Sequence, residues 1–143
     1  MGQARGPAGE VVSVQIPELI TAAPGALTTL DLQVTVRTGF HVQANPVRNR
    51  LLKPIVLEAA ATKIATPGAP VYPPSKTLRL EGSDEDLVIY DGAFTIRLPL
   101  TIARDAPAGR VTLHATLRYQ ACDDRYCLFP TTIPVDLPLT VVR

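Results

Sequence analysis

No stretch of this chain stays apolar for the roughly 18 residues that a membrane-crossing helix needs, because every hydrophobic run is interrupted by Thr, Pro or a charge. Insertion of this segment into a membrane is therefore not expected. Charge of one sign is also lacking: 14 Lys and Arg stand against 13 Asp and Glu, a net +1. Spread along the chain, these charges leave no basic footprint for nucleic acid or an anionic membrane. Paired carboxylates for acid–base work, a Ser–His–Asp set and a phosphate-cradling glycine loop are not evident, which removes support for hydrolase and kinase readings. The first residues, Met1-Gly2-Gln3-Ala4-Arg5-Gly6-Pro7, lack the basic, apolar, small-residue order of a secretory signal. That leaves the compartment open, since a leader is removed from a mature chain. Cysteine is scarce as well. Two cysteines, Cys122 and Cys127, are too few to staple a domain of this size, but such a pair can be a structural disulfide, a redox centre or half of a metal site.

Helix-permissive sequence is equally scarce. Fourteen prolines are scattered through 143 residues, about twice the usual proportion of roughly 5%, so hardly any segment has room for a long helix. The best helical candidate, residues 51–65, carries Pro54 and the β-branched Ile55, Val56 and Ile64, and its stretch 55–60 is expected as a strand instead.

What the chain does have is period-two alternation. Leu30, Leu32, Val34 and Val36 alternate with Asp31, Gln33, Thr35 and Arg37, as a strand with one wet face requires. The same pattern runs through Phe94, Ile96, Leu98, Leu100 and Ile102, then through Val111, Leu113, Ala115, Leu117 and Tyr119. It returns in Ile133, Val135, Leu137, Leu139 and Val141, where Pro134 and Pro138 mark an edge or interrupted strand. Weaker strands are expected at 11–16, 40–43, 77–80 and 87–90, with turn-rich connections such as Ala23-Pro24-Gly25 and Asp91-Gly92 between strands. With 46% apolar and 19% charged residues, the chain has material for one core. Seven to nine short strands of this kind indicate an all-β, immunoglobulin-like antiparallel sandwich. It is expected over residues 11–143, after a disordered or appended segment, 1–10.

Cys122 and Cys127 sit at opposite ends of Asp123-Asp124-Arg125-Tyr126, a common hairpin loop length. Odd positions are inward in the strand from Val111, so continuing it places Cys122 on the polar face, accessible to solvent. Pairing Cys122 with Cys127 sets inward positions of one strand against outward positions of the other. The conflict disappears if one extra residue is accommodated at Cys127, Leu128, Phe129 or Pro130, as a bulge or strand break. Thiol exchange needs an attacking thiolate, a second sulfur and access for a partner, and a hairpin tip offers all three. Arg125 favours a thiolate, whereas Asp123 and Asp124 oppose it. The residues alone equally allow a passive disulfide in a non-catalytic interaction module. A zinc site built from the two cysteines with His41 and His114 matches no standard spacing, and His114 is expected to be a solvated strand residue.

Leu117-Arg118-Tyr119-Gln120-Ala121-Cys122, followed after four residues by Cys127-Leu128-Phe129-Pro130, resembles the redox hairpin of the N-terminal periplasmic domain of the thiol:disulfide interchange protein DsbD family. Gly39-Phe40-His41-Val42-Gln43-Ala44-Asn45-Pro46, Tyr72-Pro73-Pro74 and the stretch from Asp84 to Gly92 resemble further segments of that family. The resemblance implies an immunoglobulin-like, protein-disulfide reductase domain, periplasmic and part of an inner-membrane protein, with a place in cytochrome c biogenesis. It implies that Cys127 forms the mixed disulfide and Cys122 resolves it, with no cofactor beyond the redox-active disulfide and no metal. The implied partners are membrane-embedded and thioredoxin-like domains of the parent protein on one side and periplasmic thioredoxin-fold or disulfide-isomerase proteins on the other. A cap loop falls at Asp84, Glu85, Asp86 and Leu87, with Leu87 where the family has an aromatic lid. His41, Tyr126 and Phe129 are expected to flank the cysteines, and Tyr119 is expected in the core.

Overall fold

Alternating side chains can bury one face of a strand only if a second sheet covers it, and four long strands of this chain meet that need together. They are β4 (Leu27–Val36), β10 (Ala93–Ile102), β11 (Gly109–Tyr119) and β13 (Thr131–Val141). The structure is a computed structural model, described over residues 2–5, 11–17, 20–79 and 82–143. Among the described residues there are thirteen strands and no helix.

One sheet has the order β1 (Gly2–Arg5), β2 (Val12–Ile16), β4, β10, β7 (Ala65–Pro67). The second has the order β3 (Thr21–Ala22), β13, β11, β6 (Val56–Ala59). The third is smaller: β12 (Ala121–Cys122), β5 (His41–Gln43), β9 (Asp86–Tyr90), β8 (Lys76–Arg79). Among the described residues, all pairings between strands are antiparallel except the short one between β3 and β13. The result is the immunoglobulin-like β-sandwich expected from the sequence. It is divided more finely than seven to nine strands because β3, β7 and β12 are only two or three residues long. Of the segment 1–10, residues 2–5 pair with β2 as β1; residues 1 and 6–10 lie outside the described residues, as does Leu80 at the end of the expected strand 77–80.

The core draws on both large sheets at once: Leu32, Ile96 and Leu98 from one, Leu113, Leu117, Ile133 and Leu137 from the other, all within one buried cluster. Burying each such side chain contributes about 1.5–3 kcal/mol relative to leaving it in water. The parity read from the sequence holds through every long strand. Tyr119 is 3% exposed, inside the core, and His114 is exposed, its Nδ1 in hydrogen-bond contact with Asp136 Oδ1 across the strands at 2.9 Å.

The two prolines of β13 leave its pairing with β11 unbroken from Gly109↔Val141 to Tyr119↔Thr131. Thr140 N and Val142 N donate to Ile20 O and Ala22 O, away from β11. Pro134 and Pro138 share that even parity, so each missing N–H lies on the outer side, where no ladder asks for it. β13 is thus an edge strand along most of its length, without the interruption the prolines also allowed.

The third sheet has one face on the core, carrying Val42, Ala44, Tyr90 and Ala121, with Phe40 and Val88 packed against it. Its β9 leads into β10 through Asp91 and Gly92; Gly92 adopts φ 61°, left-handed backbone that glycine adopts without a Cβ penalty. Val36 N donates to Gly92 O at 2.8 Å. The opposite face of this sheet carries the candidate site.

Candidate functional site

β11 ends at Tyr119 because the chain then changes partners. Gln120 belongs to no strand, and the next two residues pair with β5 in the third sheet, Ala121 opposite Val42 and Cys122 opposite His41. Gln120 fixes this crossing with both its backbone and its side chain. Its carbonyl accepts from Gln43 N at 3.4 Å. Its side-chain Oε1 accepts from Lys53 N at 3.0 Å, and its Nε2 donates to Leu128 O at 3.4 Å.

Beyond the crossing, Cys122 and Cys127 form an isolated antiparallel bridge and are joined by a disulfide, S–S 2.08 Å and Cα–Cα 3.9 Å. Between this bridge and the Tyr119↔Thr131 pair lie two residues on one side, Gln120 and Ala121, and three on the other, Leu128, Phe129 and Pro130. The extra residue demanded by parity is therefore present, as a strand break over 128–130. Leu128 N still donates to Ala121 O at 2.8 Å.

The loop between the cysteines is closed by Asp123. Its Oδ1 accepts from Arg125 N at 2.8 Å and Tyr126 N at 2.6 Å, while its own N donates to Tyr126 O at 2.8 Å. Those backbone N–H groups, with a smaller contribution from Arg125, hold the Asp123 carboxyl below its ordinary pKa.

Exposure of the two cysteines corrects one expectation. Cys122 is not on a wet face; it is 2% exposed. The continued parity of β11 would have turned it to solvent, but alternation follows the sheet in which a residue is paired, and Cys122 has left that sheet. Cys127 is exposed, as are Tyr126, Leu128 and Phe129 around it, at 70%, 43% and 92%. The disulfide therefore joins an inner cysteine to an outer one.

Register places the neighbours of the inner one. Cys122 opposes His41, and Gln43 opposes Ile89, so Cys122, His41, Gln43, Ile89 and, two residues further, Leu87 share one face. The first four are buried and Leu87 is half-buried. Gln43 Nε2 donates to Cys122 Sγ at 3.5 Å. His41 is 6% exposed and its Nε2 has no hydrogen-bond partner. Burial pushes its pKa below the ordinary value, against the opposing pull of Asp91 and Asp123. Asp91 itself pairs with Lys76 at 2.6 Å.

Of the expected cap residues, Asp86 and Leu87 open β9 in the same sheet, one strand removed from Cys122 because β5 lies between β9 and β12. Asp84 and Glu85 are exposed in the turn before β9. Asp86 is held by Arg79 at 2.8 Å and Arg48 at 3.6 Å, which keeps its pKa low, the Arg79 hydrogen bond foremost. Among the described residues, no three His, Cys, Asp or Glu side chains are grouped to hold a metal. Gln43 joins the site too, although of its stretch, Gly39 to Pro46, only His41 was expected as a neighbour. Its signal was its spacing, two residues beyond His41 on a strand, which puts both on one face.

Fold and site together define an immunoglobulin-like domain built around a disulfide with one buried and one exposed sulfur. Residues 10–138 match the family model for the N-terminal region of the thiol:disulfide interchange protein DsbD, and the chain belongs to that family. In fold it is similar to the N-terminal periplasmic domain of ScsB from Proteus mirabilis, with a TM-score of 0.69 at 13% sequence identity. That alignment covers 95% of this chain and 49% of the other, so the chain spans about half the length of that structure. No curated protein sequence matches it.

Proposed function

We propose that this domain is a thiol:disulfide interchange module, a periplasmic protein-disulfide reductase that relays electron pairs through Cys122 and Cys127. The observation carrying this reading is the unequal exposure of two bonded cysteines in a chain of this family. Exchange requires a thiolate to reach one sulfur and expel the other. An incoming thiolate meets Cys127; the Cys122–Cys127 bond breaks, a bond from Cys127 to the partner forms, and Cys122 leaves as a thiolate with the electron pair. A second thiolate of the partner then attacks the partner's own sulfur in the mixed disulfide and frees Cys127. The domain ends as a dithiol and the partner as a disulfide. Reversal of these steps, with Cys127 attacking and Cys122 resolving, passes the two electrons to the next protein.

The electron donor in this scheme is a membrane-embedded or thioredoxin-like domain of the parent protein, and the acceptor a periplasmic thioredoxin-fold or disulfide-isomerase protein. The cystine carries the electrons without a further cofactor. Tyr126, Leu128 and Phe129 offer the apolar surface on which either partner docks, and the turn bearing Asp84, Glu85, Asp86 and Leu87 acts as the cap at the rim of the buried face. Equilibrating the domain with glutathione couples tests the scheme: the pair should exchange readily, at a potential well above roughly −300 mV. Sluggish exchange at a lower potential would leave an interaction module with a structural staple.

A further inference from the structure

Gln43 is 1% exposed, and a buried side-chain amide ordinarily gives its N–H groups to oxygen acceptors. Here Nε2 is aimed at sulfur, 3.5 Å from Cys122 Sγ. The strand that carries this amide is fixed on its main chain, with Gln43 N donating to Gln120 O at 3.4 Å and Gln43 O accepting from Ile55 N at 3.0 Å.

A neutral sulfur accepts such a bond weakly. A thiolate accepts it far more strongly, since hydrogen bonds to charged acceptors are about twice as strong as neutral ones. The contact is thus modest while the disulfide is intact and grows as Cys122 departs with negative charge, the condition for accelerating the step rather than merely binding its starting state. The charged groups that act on His41, Asp91 and Asp123, are acidic and lend a thiolate no support, and burial disfavours the cationic form of His41 itself.

We infer that Gln43 is a further catalytic residue of the exchange, its side-chain N–H receiving the negative charge of the Cys122 thiolate when a partner thiolate attacks Cys127. This rests on the interchange reading above and assigns the inner half of the reaction. The electron pair of the broken S–S bond moves onto Cys122 Sγ, the partner sulfur becomes bonded to Cys127, and no proton is transferred in the step. A leaving thiol of lower pKa departs faster, so the hydrogen bond raises the rate by lowering the pKa of Cys122.

In a Cys127→Ser background Cys122 is the sole thiol, and its ionisation is followed by thiolate absorbance. Adding Gln43→Leu should reduce the ionisation constant of Cys122 about tenfold. In the disulfide-bonded protein, Gln43→Leu should slow attack by reduced glutathione several-fold. Unchanged ionisation and unchanged rate would overturn the inference, because an amide that only fills space moves neither. If Gln43→Leu does not fold, the Cys127→Ser protein decides by NMR: the Gln43 side-chain amide protons should shift as Cys122 titrates, and resonances indifferent to that titration would overturn the role. Failure of the wild-type disulfide to exchange with glutathione rejects the interchange reading itself; wild-type exchange with no effect of Gln43→Leu rejects only the part given to Gln43.

Discussion

The β11–β13 ladder and the cysteine hairpin beyond its end are made from the same two chain segments, yet they obey different rules. Along the ladder, eleven consecutive pairs keep one register, inward residues stay inward, and even two prolines cause no break. Past Tyr119 the register gains a residue, the chain crosses to another sheet, and a two-residue strand suffices to pin Cys122. Regular pairing maximises burial but treats both strands alike. The irregular end makes two chemically identical residues unequal, setting one sulfur in the wall and the other outside it.

The contrast is broken most severely from the ladder side. Leu117→Ala removes a fully buried side chain and should cost about 2–5 kcal/mol in denaturant unfolding. Exchange at the disulfide, measured on the folded protein, should keep its rate; a parallel loss would mean that site and ladder are one cooperative feature.

The pH dependence of stability sharpens the comparison at His41. Its folded pKa lies below the ordinary 6.5, so around that pH the unfolded chain binds more protons than the folded one, and stability rises with pH. This contribution is complete above about 6.5 and is lost as pH falls through that value toward the folded pKa. His41→Leu should flatten the slope between roughly pH 5 and 7 in thermal unfolding; an unchanged slope would place the titration elsewhere.

The smallest effect on stability is expected at the hairpin tip. Phe129 is 92% exposed, and Phe129→Ala should leave unfolding within about 0.5 kcal/mol of wild type. Exchange with a thioredoxin-fold protein should slow while exchange with glutathione, which needs no docking surface, should not. Equal rates with both would remove Phe129 from the interface.

How much of this was legible follows the same division. The long strands announced themselves because alternation over ten or eleven residues has no competing explanation. Short strands such as β3 and β12 carry no period at all. Even the strand break at 128–130 could be derived, since register arithmetic on Tyr119, Cys122 and Cys127 requires an odd residue. The burial of Cys122 could not. It depends on β5, whose Gln43 lies 79 positions away in sequence, and local parity has no means of announcing a change of sheet. His41 was recognisable only as a neighbour by resemblance, and Gln43 became visible once register placed it diagonal to Cys122.

The central claim is the inequality of the two sulfurs, and the cysteine that a partner captures tests it most directly. Mixing the disulfide-bonded domain with a thioredoxin-fold protein lacking its resolving cysteine, then mapping the trapped mixed disulfide by peptide mass spectrometry, should give adducts at Cys127. Adducts chiefly at Cys122, or none at all, would contradict the account.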